Sequence, residues 1–342
     1  MNKNVLKIGP GKITKVAETL TENNIHGKIL YIADPVVDKL YGDVIRPQIE
    51  SVGIMRTESV DYNTISYVMS VAERVIATDI ECIVGVGGGR VLDVCKYASF
   101  IAKKPFLSIP TTLAHDGIAS PIAVLKRQDN KPKSLGCKIP SMIVLDTELI
   151  STCPPQLIKA GICDTMSNYM ALMDWDLAVS RGKDVMNGYA YLMSKTSLDA
   201  LIKTQYTSIC PDLIEVLSNS LVLSGLAMDY AGSSRPVSGS EHLFSHALDY
   251  YCHSQNLHGF QVALGAIAVL KLIDEDYSEL TSCLEKFDIN INPSALNIDA
   301  DSFVECMQNA VNMRSNRYTY LHEIDLGRER ILKVYNELLS EL

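Results

Sequence analysis

The 342-residue chain has little tryptophan and phenylalanine, one and six residues respectively, and no excess of positive charge. Its formal net charge is −9, and no basic stripe interrupts that balance, which excludes a phosphate-backbone partner such as DNA or RNA. No apolar run approaches the ~18 residues needed to span a bilayer. The opening "MNKNVLKIGPGKITK" has no apolar core of a secretory signal. Nine cysteines are present, but their number is odd and their spacing scattered, with no CxxC pair. That argues against a disulfide framework and against a cysteine–zinc module. These absences lead to the expectation of a reduced, cytoplasmic protein. Low-complexity segments and clear internal repeats are also missing. What remains is a globular composition, 47% apolar and 21% charged, long enough for two domains.

The first half alternates between short apolar runs and helical periodicity, as expected for helices on a mostly parallel sheet. "KILYIAD" (28–34), "ECIVGVGGG" (81–89), "KPFLSIPTT" (104–112) and "PSMIVLD" (140–146) read as strands, and "ISYVMSVAERVIATD" (65–79) as a helix. After Cys153-Pro154-Pro155 the character changes. Long apolar-periodic segments such as 201–217 and 221–231 dominate. The expected architecture is an α/β domain over residues 1–153 and an all-α domain over 154–342. The default site is the cleft between them.

Two motifs carry chemistry. In "GVGGGRVLDVCKYAS" (85–99), glycines lie between a buried strand and an amphipathic helix. Glycine lets a backbone approach a phosphate, and a helix N-terminus offers free N–H groups. Arg90 stands where the usual dinucleotide fingerprint has its third glycine, so the loop is either a variant phosphate cradle or a tight turn. Asp34, ending the first of those strands, is either a ribose acceptor that favours NAD over NADP or the turn residue of an Asp-Pro pair.

The second motif is "SGSEHLFSHALDYYCHSQNLHG" (238–259), which gathers four of the chain's seven histidines. His242 and His246 share one helix face at a spacing of four. With His258 and a carboxylate, Asp164 in "AGICDTMSNYMALMDW", histidines from two segments could hold a divalent metal with an open coordination position. His253, His26 and His322 have no convergent partner and read as surface residues.

Taken together, "GVGGGRVLDVCKYAS", "PTTLAHDGIASPIAVL" (110–125), "GICDTMSNYMALMDWDLA" and "SGSEHLFSHALD…LHG" resemble the glycerol-1-phosphate dehydrogenases. These belong to the superfamily that also holds metal-dependent alcohol dehydrogenases, glycerol dehydrogenases and dehydroquinate synthases. The resemblance implies Asp164, His242 and His258 as metal ligands, with zinc, nickel or iron as the ion. It implies Gly87, Gly88 and Gly89 as the pyrophosphate loop, with Asp93 on the helix that follows, and Thr111 and Thr112 lining NAD. It places Asp116 and Ser120 beside nicotinamide and substrate, Lys133 near the cofactor, and His246 as a proton relay. A homo-oligomer is expected from the family. Cys163 stands where a glycine is expected, and the phosphate-binding residues are hard to place, with Arg235 as the candidate. The implied reaction is reversible reduction of dihydroxyacetone phosphate by NADH. A glycerol dehydrogenase is the nearest alternative. A dehydroquinate-synthase-like cyclase is disfavoured because "TMSNYM" after Asp164 carries no lysine, and a non-catalytic binder because the ligand set is complete.

Overall fold

The structure, a computed structural model, describes residues 5–60, 62–129 and 131–342. The chain divides into two compact units. The first comprises residues 1–154 and 210–225, the second residues 155–209 and 226–342. None of the helices is long and apolar enough to cross a membrane, among the described residues.

The first unit is built on a six-stranded parallel sheet in the order β1-β8-β5-β4-β2-β3. Its strands are β1 (Val5–Gly9), β2 (Lys28–Ala33), β3 (Ile54–Ser59), β4 (Ile80–Gly87), β5 (Phe106–Pro110) and β8 (Met142–Asp146). An antiparallel hairpin, β6 (Ile122–Lys126) and β7 (Pro132–Gly136), stands apart from the sheet. The connecting helices are α1 (Val16–Glu22), α2 (Pro35–Val52), α3 (Ile65–Ala77), α4 (Gly89–Ala102) and α5 (Thr147–Ser151). β4 is buried almost along its whole length. That is why its sequence from Cys82 onward is continuously apolar rather than alternating. One apolar cluster, including Leu20, Ile29, Tyr31, Val84, Ile109 and Val144, joins α1 and α2 to the sheet.

From β2 the chain moves outward to β3, whereas from β4 it moves the other way to β5. The strand order therefore reverses between β2 and β4, whose ends are in register as Ala33 opposite Val86. Such a reversal leaves a crevice at the carboxyl ends of the two strands, where parallel sheets bind ligands. Asp34 and the glycines from Gly87 onward stand at those two ends.

The second unit is helical: α6 (Pro155–Met166), α7 (Asn168–Ser180), α8 (Gly188–Ile202), the end of α9 (Pro211–Ala231), α10 (Ser240–Tyr251), α11 (His258–Leu272), α12 (Ser278–Lys286), α13 (Ala300–Asn309) and α14 (Arg328–Glu341). Almost every residue of α11 is buried, so it carries apolar side chains on all faces. Two details differ from the sequence reading. The periodic run 201–217 is not one helix, because α8 ends at Ile202 and Pro211 opens α9. Residues 210–225 also group with the first unit rather than the second. The reason is packing: a Cβ on Gly225 of α9 would lie 2.6 Å from the backbone carbonyl of Ala119, so only glycine permits this approach.

Candidate metal centre and dinucleotide loop

Asp164 lies on the last turn of α6, His242 on the first turn of α10, and His258 opens α11. Each offers one ligand atom, and the three atoms lie within 4.8 Å of one another. The His258 Nε2 to Asp164 Oδ1 distance is 3.7 Å. Two glycines allow the helices to come this close. A Cβ on Gly259 would lie 1.9 Å from the carbonyl oxygen of Ala160, one turn before Asp164. A Cβ on Gly265 would lie 2.9 Å from the carbonyl oxygen of Glu241, next to His242. α11 is therefore pressed against the backbones of both α6 and α10.

The hydrogen bonds around the two histidines decide which ring nitrogen carries the proton. Ser245 Oγ donates its single proton to Gln261 Oε1 at 2.6 Å, and Gln261 Nε2 donates onward to Asp249 Oδ1. With its proton committed, Ser245 Oγ can only accept from His258 Nδ1, 3.1 Å away. His258 Nδ1 thus carries the ring proton and Nε2 keeps a lone pair facing Asp164. His242 Nδ1 stands 2.8 Å from Glu241 Oε1, which also accepts from the Gly239 N–H at 2.7 Å. An oxygen accepting from both sides fixes His242 as the Nδ1–H tautomer, the same as that of His258. Outer hydrogen bonds of this kind orient metal-binding imidazoles. Burial and the nearby Arg314 and Arg317 guanidiniums hold His242 neutral, its pKa down to about 3. A neutral imidazole is the form that binds a cation. The donor set, two preset nitrogens and one carboxylate oxygen, fits a divalent metal with an open position.

His246 follows one turn after His242, with ring centroids 6.2 Å apart, and its ring is nearly parallel to that of His258 at 6.5 Å. Burial, and then His242, Arg314 and Arg317, push its pKa to about 3 as well. It is a neutral imidazole, not a standing imidazolium acid. Glu241 lies fully buried beside His242, and burial raises its carboxyl to about 7. Glu241 was not singled out in the sequence, although its position directly before His242 was visible.

In the first unit, β4 ends at Gly87, whose φ of 156° and contact with Val91 leave no room for a side chain. Gly88 is the N-cap of α4 and has no side-chain cap. Thr112 Oγ1 is the nearest atom above it, at 3.5 Å from the position of a Cβ. Thr111, next to it, is buried and donates its backbone N–H to the Gly87 carbonyl at 3.1 Å. His115 covers Gly89: a Cβ there would lie 2.4 Å from His115 Nε2. His115 Nδ1 accepts from the Gly117 N–H at 3.0 Å, so in the neutral ring the proton sits on Nε2, toward the loop. Burial lowers the His115 pKa and favours that neutral form. His115 is a site residue that the sequence reading passed over, though it stands inside "PTTLAHDG".

Asp34 Oδ1 accepts from the Val36 and Val37 N–H groups at 2.9 Å, capping α2 ahead of Pro35. Its carboxylate is therefore a helix cap at the strand-order reversal. Asp116 is raised to about 6 by burial, against the lowering influence of Lys96.

Three further expected cofactor contacts lie around Lys96 and on the β6–β7 hairpin. Asp93 is buried, with Oδ1 3.2 Å from Lys96 Nζ and Oδ2 accepting from the Val124 N–H at 3.0 Å. Oδ2 thus ties the hairpin to α4, while Oδ1 faces Lys96 on the same helix. Ser120 is likewise turned inward, its Oγ 3.4 Å from Lys96 Nζ and 3.3 Å from the Ile122 carbonyl. Lys96, 1% exposed, also donates to the carbonyls of Gly117 and Ile122 and ties down the loop bearing Asp116. Lys133 is exposed on β7 opposite Leu125. Arg235, the expected phosphate ligand, is 3% exposed, with Nε on Asp184 Oδ2 at 2.5 Å and Nη1 on the Tyr318 carbonyl at 2.7 Å. It is neither a surface arginine nor a free anion contact. His253 and His26 are exposed, and His322 caps a local turn at Thr319, as expected of histidines with no shared site.

A family described as iron-containing alcohol dehydrogenase matches residues 7–154. The glycerol-1-phosphate dehydrogenase [NAD(P)+] of Sulfurisphaera tokodaii is 32% identical over 338 residues, covering 96% of this chain and 94% of the relative. That of Methanosphaera stadtmanae is 39% identical over 254 residues, 73% and 72% of the two chains. Among solved structures, glycerol dehydrogenase from Schizosaccharomyces pombe superposes with a TM-score of 0.80 at 18% identity, covering 99% of this chain and 89% of that one. A probable glycerol dehydrogenase from Sinorhizobium meliloti gives 0.78 at 19% identity, covering 98% and 97%. Those two likenesses speak for the fold; the full-length relatives above 30% identity place this chain in the glycerol-1-phosphate dehydrogenase family of metal-dependent dehydrogenases.

Proposed function

We propose that the protein interconverts dihydroxyacetone phosphate and glycerol 1-phosphate with NAD(H), using a divalent metal, zinc by preference, held by Asp164, His242 and His258. The observation that carries the metal assignment is the pair of imidazoles whose Nδ1 protons are both committed, leaving two Nε2 lone pairs beside one carboxylate. When bound, the metal supplies Lewis acidity toward the substrate carbonyl, and the reduced nicotinamide supplies the hydride.

The chain's own residues do the rest. Glu241 and Ser245 hold the ligand rings in one tautomer, so no reorganisation is needed when the ion arrives. His246, neutral and one helical turn from His242, gives its ring N–H proton to the forming alcohol oxygen and takes one up from water at its other ring nitrogen. Gly87, Gly88 and Gly89 expose N–H groups at the start of α4 for a pyrophosphate, with Thr111 and Thr112 beside them. His115 Nε2–H adds a further donor to that loop. Asp34 accepts from the adenosine ribose with the oxygen its cap leaves over, favouring NAD over NADP. Asp116, whose carboxyl burial raises to about 6, orients the substrate's polar groups. The working form is a homo-oligomer.

His242→Ala tests the assignment. The variant is expected to lose bound metal and turnover together; full metal occupancy in the variant would remove His242 from the ligand set.

A further inference from the structure

The second unit holds an excess of buried positive charge that its ion pairs do not balance. Arg314 follows a short turn, Ala310–Asn312, that packs on α10, and Arg317 comes three residues later. Arg314 Nη1 donates to Ser234 Oγ at 2.9 Å, and Arg317 Nη2 donates to the same oxygen at 2.8 Å. Arg317 Nη1 reaches the Ser238 carbonyl at 2.5 Å, four residues before His242. Arg235 completes the group from the same segment as Ser234, and its Nη2 is buried with no hydrogen-bond partner.

The carboxylates nearby answer this charge only in part: Glu241 and Asp184 act on Arg317 from a distance, with no ion pair to it among the described residues. Asp184 pairs with Arg235. Glu241 and Asp174 are fully buried and accept from backbone N–H groups and, for Glu241, from His242 rather than from a guanidinium. Among the described residues, Arg314 and Arg317 have no ion pair, although Arg317 is only 6% exposed. Their charges repel: burial first, then Arg314 and Arg235, pull Arg317 down to about 9. Buried cations without a counter-charge are costly unless an anion completes the set. Two guanidinium forks converging on one serine oxygen leave N–H groups over for a planar or tetrahedral oxyanion.

Resting on the activity proposed above, we infer that Arg314, backed by Arg317 and Arg235, binds the phosphate dianion of the substrate beside the metal-binding turn of α10. Arg314 is the contact residue because it is the partly exposed member of the three. Arg317 and Arg235 are positioning residues that anchor it and raise the local potential. The site selects a phosphomonoester over the corresponding free polyol.

The test compares kcat/KM for dihydroxyacetone phosphate with that for dihydroxyacetone, using metal-loaded wild type, Arg314→Gln and Arg314→Lys. Inorganic phosphate as a competitive inhibitor is the second readout. One lost charged hydrogen bond pair corresponds to roughly a 30- to 100-fold fall in the phosphate-ester preference of Arg314→Gln, carried mainly by KM. Inhibition by inorganic phosphate should weaken by a similar factor, and Arg314→Lys should fall between, because it keeps charge but loses the fork. Should the glutamine variant not fold, the lysine variant carries the same two comparisons, with about a tenfold change expected. An unchanged preference with unchanged phosphate inhibition would overturn the assignment. If wild type shows no preference for the phosphate ester, the proposed activity fails; phosphate inhibition that still depends on Arg314 would then leave the anion site standing.

Discussion

Replacing Gly259 by alanine should dismantle the metal site without touching a ligand. A Cβ at this position would lie 1.9 Å from the Ala160 carbonyl oxygen and 2.6 Å from its carbonyl carbon. Both are backbone atoms in the middle of α6, so neither can swing aside as a side-chain tip could. α11 must move away from α6 by about 1 Å at its first turn to restore an ordinary contact. Overpacking of that kind costs about 1–3 kcal/mol. The functional cost is larger. His258 is the adjacent residue and Asp164 lies one turn from Ala160, so the separation opens directly between two ligands. Metal–ligand distances tolerate only about 0.2 Å. Metal affinity is therefore expected to fall at least ~100-fold, with the fold retained. The assay is metal content after dialysis against a graded chelator, alongside circular dichroism. Gly188→Ala serves as control, since a Cβ there meets nothing within 4 Å. Wild-type metal affinity in Gly259→Ala would refute the reasoning that close packing of α6 and α11 builds the site.

Other expectations follow from the same geometry. Ser245→Ala removes the acceptor that fixes His258 Nδ1 and should weaken metal binding about 10- to 100-fold by isothermal titration, while wild-type affinity would make the Ser245–Gln261 chain incidental. Asp34→Asn keeps an oxygen for the Val36 and Val37 N–H groups and removes the charge, so NADPH use relative to NADH should rise with little loss of stability; an unchanged ratio would leave Asp34 as a cap alone. Asp116 has its pKa raised from 3.8 to about 6, so the folded state holds this proton more tightly than the unfolded chain. Its contribution to stability is fully present below about pH 4 and is lost as pH rises through 6. In Asp116→Asn the drop in unfolding temperature between pH 5 and pH 8 should be smaller than in wild type, and an equal drop would mean the carboxyl ionises without cost.

The alternation of helix and strand in the first half was legible because a buried parallel strand must be largely apolar, as "CIVGVG" is. The metal candidates were legible for a different reason: histidine is scarce here, and four in one stretch stand out. What the sequence hid were groups whose roles depend on contacts far along the chain. Asp93 reads like a cofactor residue, yet Lys96, three residues on, claims it together with the Val124 N–H. Arg235 looked like a free cation until Asp184 and the Tyr318 carbonyl were seen to hold it. Arg314 and Arg317, some 80 residues later, carried no motif at all. The segment 210–225 was assigned to the helical domain because periodicity reports a helix but not which unit it packs on, and Gly225 against Ala119 decides that.

The most direct test of the account is NADH oxidation by the metal-loaded protein with dihydroxyacetone phosphate and with dihydroxyacetone at matched concentrations. The account predicts a preference for the phosphate ester of at least ~30-fold, equivalent to one charged hydrogen-bond pair to phosphate. Equal rates, or a preference for dihydroxyacetone, would contradict it and make the protein a dehydrogenase of free polyols.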